Sequence, residues 1–392
     1  MDKHFGCVRH VYNWGLALKK EHYEETGKSL SKDKVQDLMV QSKKEDKPWL
    51  KEVNSQSLLA SLLNLDAAYQ KFFKGLAKFP NFKKKYDSTQ SFQCPQHVKV
   101  DFDAKHLYLP KFADGIKTKF HQRFKGKIKT VTIKRKPSGK YYASILVEQD
   151  TPEIKAAPIT KEQTLGIDLG LTHFTIDSEG NKVENPRFLK QALGKLAVAQ
   201  KMLARKVKGS KNRQKQKKKV AVIHEKVANT RLDFLHKASA GLVYKNHATS
   251  FALEDLNIKG MVKNRKLARV ISDVSWGKFT ELLSYKSEWQ GKHILKIGRF
   301  EASSKVCNHC GHKVESLPLS IRHWDCPACG AVLDRDINAA KNIRDIALAD
   351  ALGHSVCVKS SPEATPFSDG ASAKGANWHG SQEAPAITAK AV

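Results

Sequence analysis

The sequence lacks the features that attach a protein to a membrane or direct it out of the cell. No apolar run approaches the roughly 18 residues that a membrane-spanning helix requires. The first ten residues, MDKHFGCVRH, have no apolar core of the kind found in a signal peptide. We therefore expect a cytoplasmic protein with no membrane partner.

Acidic residues are scarce relative to basic ones. The 392-residue chain has 69 Lys and Arg against 39 Asp and Glu, which gives a formal net charge of +30 at pH 7. This excess is larger than solubility requires and predicts a polyanionic partner, with nucleic acid as the leading candidate. The length and the apolar content of 40% allow two or three domains with buried cores.

Local patterns divide the chain into helical, β-rich and mixed regions. Residues 1–80 carry apolar residues at helical spacing, whereas residues 81–155 change to short alternating segments with an apparent hairpin turn at 137–139. A mixed α/β domain follows over 156–300, with a basic helical stretch at 187–245. The remainder is predicted to comprise a cysteine-containing insert at 301–333, a final helix at 334–358 and, from its Ser, Ala, Pro and Gly content, a disordered tail at 359–392.

Cysteine is scarce too, but four of the seven cysteines fall within 23 residues. Two C-x-x-C pairs are separated by 15 residues, which is a spacing typical of a four-cysteine zinc ribbon. The predicted zinc ligands are Cys307, Cys310, Cys326 and Cys329. Four thiolates would complete the tetrahedron around one Zn²⁺, so this metal is predicted to be structural, and His309 and His312 are better interpreted as surface residues than as substitute ligands.

Carboxylates at the ends of predicted elements suggest a second metal site. Asp168 follows alternating apolar residues in LGIDLG, where Gly166 is too small to cover its face of the strand. Glu254 lies near the end of the predicted strand SFALEDL, and Asp334 and Asp336 lie at a predicted helix start. Singly, each could be a turn residue, a strand-end acid or a helix cap. Together, a strand Asp, a strand-end Glu and a helix Asp suit two divalent cations that cleave a phosphodiester.

GIDLG has a second interpretation. A similar strand and turn open the actin-like and chaperone ATPases, where the backbone contacts phosphate. These proteins would need a second glycine-rich phosphate loop with an acid nearby, and the sequence from 171 to 300 has none. A nuclease is therefore favoured.

Longer motifs show a resemblance to a known family. They include FGCVRHVYNWGLAL, FPNFKKK, LGIDLGL, KGSKNRQKQKKKVAVIHEKVANTRLDFLHKAS, LEDLNIKGMVKNRKLARVISDVSWGKF and CPACGAVLDRDINAAKNI. In this order they resemble the TnpB proteins of insertion sequences, which are related to the type V CRISPR nucleases. The resemblance implies a multidomain protein of mixed α/β and β structure. Its parts would be a ribonuclease H-like RuvC nuclease domain with an inserted zinc ribbon, preceded by a wedge-like β-barrel that carries a helical recognition lobe.

The same resemblance implies an RNA-guided endonuclease that cuts double-stranded DNA beside a short transposon-adjacent motif. It assigns catalysis to Asp168, Glu254 and Asp336 with two Mg²⁺, and it gives Asp334 a supporting role because Asn338 completes the D-x-N pattern after Asp336. The guide RNA would come from the transposon end, and a separate enzyme would carry out transposition. A nuclease-deficient repressor that uses the same guide and a classical transposase are the alternative functions.

Two basic segments are the predicted phosphate contacts. They comprise Lys83, Lys84 and Lys85, then Lys206, Lys208, Lys211, Arg213, Lys215, Lys217, Lys218 and Lys219. Such contacts give salt-dependent affinity but little sequence information. The alternative is a solvated helix face. One departure from the family concerns the start, because Met1 lies almost on FGCVR, whereas family members usually carry a further segment that supplies the first barrel strand. We therefore expect this strand to be missing.

Overall fold

A computed structural model describes residues 1–353, apart from 88, 151, 153, 300 and 319, together with the backbone of a C-terminal strand, Ile387–Ala391. The chain forms two compact units. The first contains residues 1–151 and 217–222 and the C-terminal strand, and the second contains residues 152–216 and the described residues between 223 and 353. In the described part, no helix combines the length and the apolar character needed to cross a bilayer.

Helices open the first unit. They are α1 (Asp2–Thr26), α2 (Lys32–Lys44), the 3-10 helix η1 (Pro48–Glu52) and α3 (Ser55–Phe73). Ser31 caps α2 by accepting a hydrogen bond from the Lys34 N–H, and Asn54 caps α3 by accepting one from the Gln56 N–H. The apolar stripes of α1 and α3 are buried, as Val11 and Leu58 illustrate with 1% and 0% exposure.

Strands complete the first unit. They are β1 (Gln90–Cys94), β2 (Lys99–Asp101), β3 (His106–Tyr108), β4 (Ile116–Lys119), β5 (Lys127–Arg135) and β6 (Tyr141–Glu148). Together with the C-terminal strand they form a seven-stranded antiparallel sheet in the order β1, β5, β6, C-terminal strand, β4, β3, β2. Residues 137–139 form the turn between β5 and β6, where Gly139 has a φ of 85°. Phe5 and Leu62 pack with Ile133 and Ile145 in one core between helices and sheet.

The C-terminal strand corrects the prediction of a disordered tail at 359–392. Ile387–Ala391 pairs with β6 and β4, so the prediction is wrong for these five residues, while the rest of that segment lies outside the described residues. The physical reason is local: Ile387 and Thr388 are β-branched and suit an extended backbone, whereas the prediction used the average composition of the segment.

The second unit is built on a five-stranded mixed sheet in the order β11, β10, β7, β8, β9. Its strands are β7 (Thr164–Asp168), β8 (His173–Asp177), β9 (Lys182–Glu184), β10 (Ser250–Glu254) and β11 (His293–Ile297). β10 runs parallel to β7 and β11, whereas β8 is antiparallel to both β7 and β9. A two-stranded ribbon, β12 (His323–Asp325) and β13 (Val332–Asp334), lies outside this sheet.

Helices cover both faces of the mixed sheet. They are α4 (Phe188–Ala204), α5 (Lys211–Lys245), α6 (Ile258–Met261), α7 (Ala268–Val274), α8 (Trp276–Glu288) and α9 (Arg335–Ala351). On one face, Ile167 and Leu253 share a core with Leu235 of α5 and Phe279 of α8. On the other face, Ala252 and Ile297 pack against residues of α9.

Gly166 has a different role from the one that the sequence predicts. A small residue there is expected to leave the face that carries Asp168 open, but α9 lies directly on it. A Cβ built on Gly166 would come within 1.9 Å of the Ala340 carbonyl oxygen and 2.9 Å of the Arg344 Cβ. The glycine therefore permits the backbone of α9 to approach β7 closely, which is a common reason for glycine within a strand.

Candidate metal centres and nucleic-acid interface

The sheet topology brings two of the predicted acids to one edge. Ile167 of β7 pairs in parallel with Leu253 of β10, so Asp168 and Glu254 follow at equivalent positions at the carboxyl ends of the two strands. Because side chains alternate along a strand, both acids share the face that α9 covers. α9 begins at Arg335, which places Asp336 in its first turn.

The electrostatics of Asp168 shows that the other two acids act on this residue. Desolvation is the largest cause that raises the pKa of Asp168, and the negative charges of Glu254 and Asp336 raise it further, to about 7. The hydrogen bond from the Leu169 backbone and the charge of Arg335 act in the opposite direction but do not offset these effects. A carboxylate that is both desolvated and close to other carboxylates is typical of a functional site.

Asp334 and Asp336 have different surroundings. Asp334 caps α9, since its Oδ1 accepts hydrogen bonds from the backbone N–H of Asp336 at 2.9 Å and of Ile337 at 3.1 Å. Its other oxygen accepts a hydrogen bond from Lys182 Nζ at 2.6 Å. Both oxygens of Asp334 are therefore engaged in contacts that stabilise the start of α9 and its link to Lys182.

Arg322 is a site residue that the sequence did not reveal. Its Nη1 lies 3.0 Å and 3.2 Å from the two carboxylate oxygens of Asp336. The Arg322 side chain is 49% exposed, whereas that of Asp336 is 16% exposed. No spacing pattern in the sequence distinguishes this arginine from the other arginines of the chain. A guanidinium beside an acid of the site can bind a phosphate once that acid is otherwise neutralised.

The four predicted cysteines form a compact cluster. Their Sγ atoms all lie within 4.8 Å of one another, with 3.8 Å between Cys307 and Cys329 and 3.6 Å between Cys310 and Cys326. Zn–S bonds of about 2.3 Å in a tetrahedron place sulfur atoms about 3.8 Å apart, so the spacing fits zinc. The neighbouring His309 and His312 do not belong to the cluster. Among the described residues, the three carboxylates do not form an equally tight group.

Backbone geometry explains how each C-x-x-C pair turns. The N–H of Gly311 donates to the Cys307 carbonyl, and the N–H of Gly330 donates to the Cys326 carbonyl, both at 2.8 Å. The two glycines have φ values of 77° and 71°, in the left-handed region that favours glycine. The sequence of each pair therefore forms the turn that brings its two sulfurs to one side.

The lysines of the FPNFKKK loop differ in their availability. Asn13 holds the loop to α1, because its Nδ2 donates to the Lys83 carbonyl and its Oδ1 accepts from the Lys83 N–H. Lys83 Nζ lies 3.7 Å from the centre of the Tyr12 ring, and desolvation lowers the pKa of this ammonium. All three lysines are exposed as residues, but the Lys83 ammonium already packs on the Tyr12 ring. Lys84 and Lys85 are therefore the more available of the three.

Aromatic residues beside this loop could either pack in the core or stack on bases, and the sequence favours packing. Tyr12 is buried at 6% exposure, which agrees with core packing. Trp14 is partly buried. Phe79 packs edge-on against Tyr69 and Phe72 but is 40% exposed, so only part of its side chain is buried.

The basic run at 206–219 spans the turn between α4 and the start of α5. Arg213 is a structural residue there, since its Nη1 donates to the Leu203 carbonyl at 2.9 Å and lies 3.3 Å from that of Lys206. The remaining basic residues of the run are exposed, namely Lys206, Lys208, Lys211, Lys215, Lys217, Lys218 and Lys219. The lysines are therefore available to contact phosphates, whereas Arg213 stabilises the turn that presents them.

Comparisons with known families match most of the chain. A family model described as a probable transposase matches residues 144–265, one described as a Cas12f1-like TNB domain matches residues 276–343, and one described as a helix-turn-helix domain matches residues 1–28. The second match contains the four cysteines, Arg322 and Asp336.

Two relatives named "Putative RNA-guided DNA endonuclease" are similar over nearly their whole lengths. The relative from Streptomyces pristinaespiralis is 36% identical over 91% of this chain and 87% of its own. The relative from Escherichia coli (strain K12) is 33% identical over 91% of this chain and 89% of its own. A cryo-EM structure of a Cas12f1–sgRNA–target DNA complex matches with a TM-score of 0.54 at 13% identity, covering 88% of this chain and 81% of that one, which indicates a shared fold.

Proposed function

Since the chain belongs to the TnpB family, we propose that it is an RNA-guided endonuclease that cuts double-stranded DNA beside a transposon-adjacent motif. The observation that carries this proposal is the desolvated Asp168, whose pKa is raised by Glu254 and Asp336 in a chain of net charge +30. Such a group of acids needs a compensating cation, and a bound polyanion next to it is the substrate that its chemistry suits.

The mixed sheet is the ribonuclease H-like core of a RuvC nuclease domain. Support comes from its strand order, in which three consecutive antiparallel strands are extended by two parallel ones. This order places the ends of β7 and β10 side by side, and α9 crosses the same edge. The three acids are therefore presented by three rigid elements rather than by loops.

Asp168, Glu254 and Asp336 would hold two Mg²⁺, because hard carboxylate oxygens are the ligands that Mg²⁺ prefers. When bound, the two ions supply an activated water and a stabilised leaving oxygen. The protein residues orient that reaction: Asp334 fixes the first turn of α9, and Arg322 binds the scissile phosphate after it releases Asp336. Residues 307–329 form a ribbon around one structural Zn²⁺, as the sulfur spacing supports.

Recognition of the target is divided between RNA and protein. Base pairing with the guide reads the target sequence, while the protein reads backbone shape and the short adjacent motif. The exposed lysines of 206–219, together with Lys84 and Lys85, bind phosphates of the guide or of the heteroduplex. Arg213 and Lys83, both predicted from sequence as phosphate contacts, contribute through local structure instead.

Guided cleavage tests this proposal directly. The chain is co-expressed with RNA from its transposon end and incubated with Mg²⁺ and a matched plasmid that carries a randomised adjacent motif. We expect linear plasmid with the matched guide, and intact plasmid with a mismatched guide or with Asp168→Asn. Cleavage that ignores the guide, or none at all from the wild type, would contradict the proposal.

The description of one family model as a transposase favours a second candidate function, the joining of DNA ends. The same three acids could serve such a reaction, since transfer to a DNA hydroxyl and hydrolysis share metal chemistry. Labelled transposon ends incubated with the loaded protein distinguish the two. Hydrolysis leaves free ends, whereas a transposase yields joined products. We expect free ends because the family resemblance assigns transposition to a separate enzyme.

A further inference from the structure

Two buried asparagines of α9 form hydrogen bonds with a short segment that precedes the first cysteine pair. Asn342 Nδ2 donates to the carbonyl oxygens of Ser303 and Val306, each at 2.7 Å, and Asn338 Nδ2 donates to the Val306 carbonyl at 2.7 Å. Asn338 Oδ1 accepts from the Asn308 N–H at 2.8 Å. The two asparagines lie about one helical turn apart, at 2% and 6% exposure.

The same segment also contacts an acid of the candidate site. Ser303 is buried at 6% exposure, and its Oγ donates to Glu254 Oε1 at 2.7 Å. Asn342 therefore fixes the backbone of the residue whose hydroxyl holds Glu254. Because α9 also carries Asp336, one helix determines the position of two of the three acids.

We propose that Ser303 and Asn342 are positioning residues that orient Glu254 to bind a divalent cation, an inference that rests on the proposed function of this site. The hydrogen bond engages one carboxylate oxygen and leaves Oε2 for the metal ion. A glutamate has several rotatable side-chain torsions, so an unrestrained Glu254 would lose more conformational freedom on metal binding. Partners that orient a metal ligand typically contribute about 10- to 100-fold to metal affinity.

Packing alone is the alternative explanation, because buried amides need hydrogen-bond partners wherever they occur. It accounts for Asn338 and for the bonds to Val306. Packing does not require the Ser303 hydroxyl to bond to a carboxylate, since a buried serine can donate to a backbone carbonyl instead, as Ser239 does to Leu235. The contact with Glu254 is therefore the specific observation, and Ser303 is the residue to test.

Mn²⁺ binding to the full-length chain separates these explanations without guide or DNA. Free Mn²⁺ is quantified by its electron paramagnetic resonance signal, and Asp168→Ala identifies the binding that belongs to this site. We expect Ser303→Ala to weaken Mn²⁺ binding about tenfold. Ser303→Thr, which keeps the hydroxyl, should bind close to wild type, and the matched control Ser304→Ala should bind as wild type does.

Zinc content and unfolding temperature distinguish positioning from general damage. We expect Ser303→Ala to retain one zinc per chain and to unfold within a few degrees of Ser304→Ala, since it removes one oxygen atom. Asn342→Ala should weaken Mn²⁺ binding at least as much, because it frees the Ser303 backbone. If Asn342→Ala does not fold, the comparison of Ser303→Ala with Ser303→Thr decides.

The possible outcomes separate this inference from the proposed function. Equal Mn²⁺ affinity of Ser303→Ala and wild type overturns the positioning role and leaves the nuclease proposal intact. Weaker binding by Ser303→Ala in a chain that shows no guided cleavage supports the positioning role and contradicts the nuclease proposal. If the wild-type chain shows no Mn²⁺ binding that depends on Asp168, both the positioning role and the nuclease proposal are overturned.

Discussion

The cysteine cluster and the carboxylate cluster are both candidate metal centres, but they are assembled in opposite ways. The four cysteines lie within 23 residues, and two glycine turns bring their sulfurs together. The acids lie at 168, 254 and 336, and only the parallel strand pair and the helix bring them near enough to affect the pKa of Asp168. The candidate structural site can thus be specified locally, whereas the candidate catalytic site depends on the fold of the whole unit.

The largest effect is expected from removing a charge at the carboxylate centre. Asp168→Asn should lower guided cleavage about a thousandfold, which corresponds to about 4 kcal/mol of activation free energy, because a neutral amide binds Mg²⁺ poorly. Binding of the guide and of target DNA should be unchanged. Single-turnover cleavage and filter binding measure the two quantities, and Asp114→Asn, the same change at an exposed aspartate of the first unit, is the control. Cleavage at near wild-type rates would remove Asp168 from the site.

Opening the cysteine centre should produce a smaller loss of activity. Cys326→Ser should release zinc and reduce cleavage about 10- to 100-fold, since β12 and β13 lead directly onto α9. Zinc is measured by atomic emission and cleavage on the matched plasmid. His309→Ala, at a neighbour that lies outside the cluster, should keep both zinc and activity. Unchanged cleavage by zinc-free Cys326→Ser would show that the two centres are independent.

The two centres also differ in how much of each can be predicted from the sequence. The C-x-x-C pairs specify the sulfur cluster because spacing and turn chemistry suffice there. Asp168 and Glu254 can be found as strand-end acids, but their proximity requires the parallel register of β7 and β10, which no local pattern encodes. Arg322 and Ser303 could not be found, since their roles arise from contacts with residues 14 and 49 positions away. Gly166 suggests an open face, although it serves the close approach of α9.

The carboxylate centre should also make the free energy of unfolding depend on pH. Since the folded-state pKa of Asp168 is about 7 against an ordinary value of 3.8, the folded chain holds this proton more tightly than the unfolded chain, and stability is lost as pH rises between these values. Without added divalent cations, this residue should lower the free energy of unfolding by about 2 to 3 kcal/mol between about pH 5 and pH 8.

Denaturant titrations at both pH values measure this loss. Asp168→Asn should show less pH dependence than wild type and should be the more stable of the two at the higher pH. Added Mg²⁺ should restore the stability of the wild-type chain at the higher pH but should not stabilise Asp168→Asn. Parallel pH profiles of the two proteins would contradict the raised pKa.

The smallest effects are expected in the basic run. Replacing Lys215 and Lys219 by Ala should reduce the salt slope of guide-RNA affinity by about 0.7 to 0.9 for each phosphate that is no longer neutralised, with little change in stability. Arg213→Ala is the matched control, because it should destabilise the turn between α4 and α5 and leave the slope nearly unchanged. Binding isotherms at several salt concentrations measure the slope. Equal slopes for all variants would indicate a merely solvated helix face.

Anomalous scattering from crystals grown with Mn²⁺ tests the assignment of the two centres most directly. We predict manganese peaks within bonding distance of Asp168, Glu254 and Asp336, with Arg322 moved away from Asp336, and a zinc peak among the four cysteines. A manganese peak on Asp334 instead of Asp336, or none near Asp168, would contradict the assignment of the carboxylate centre.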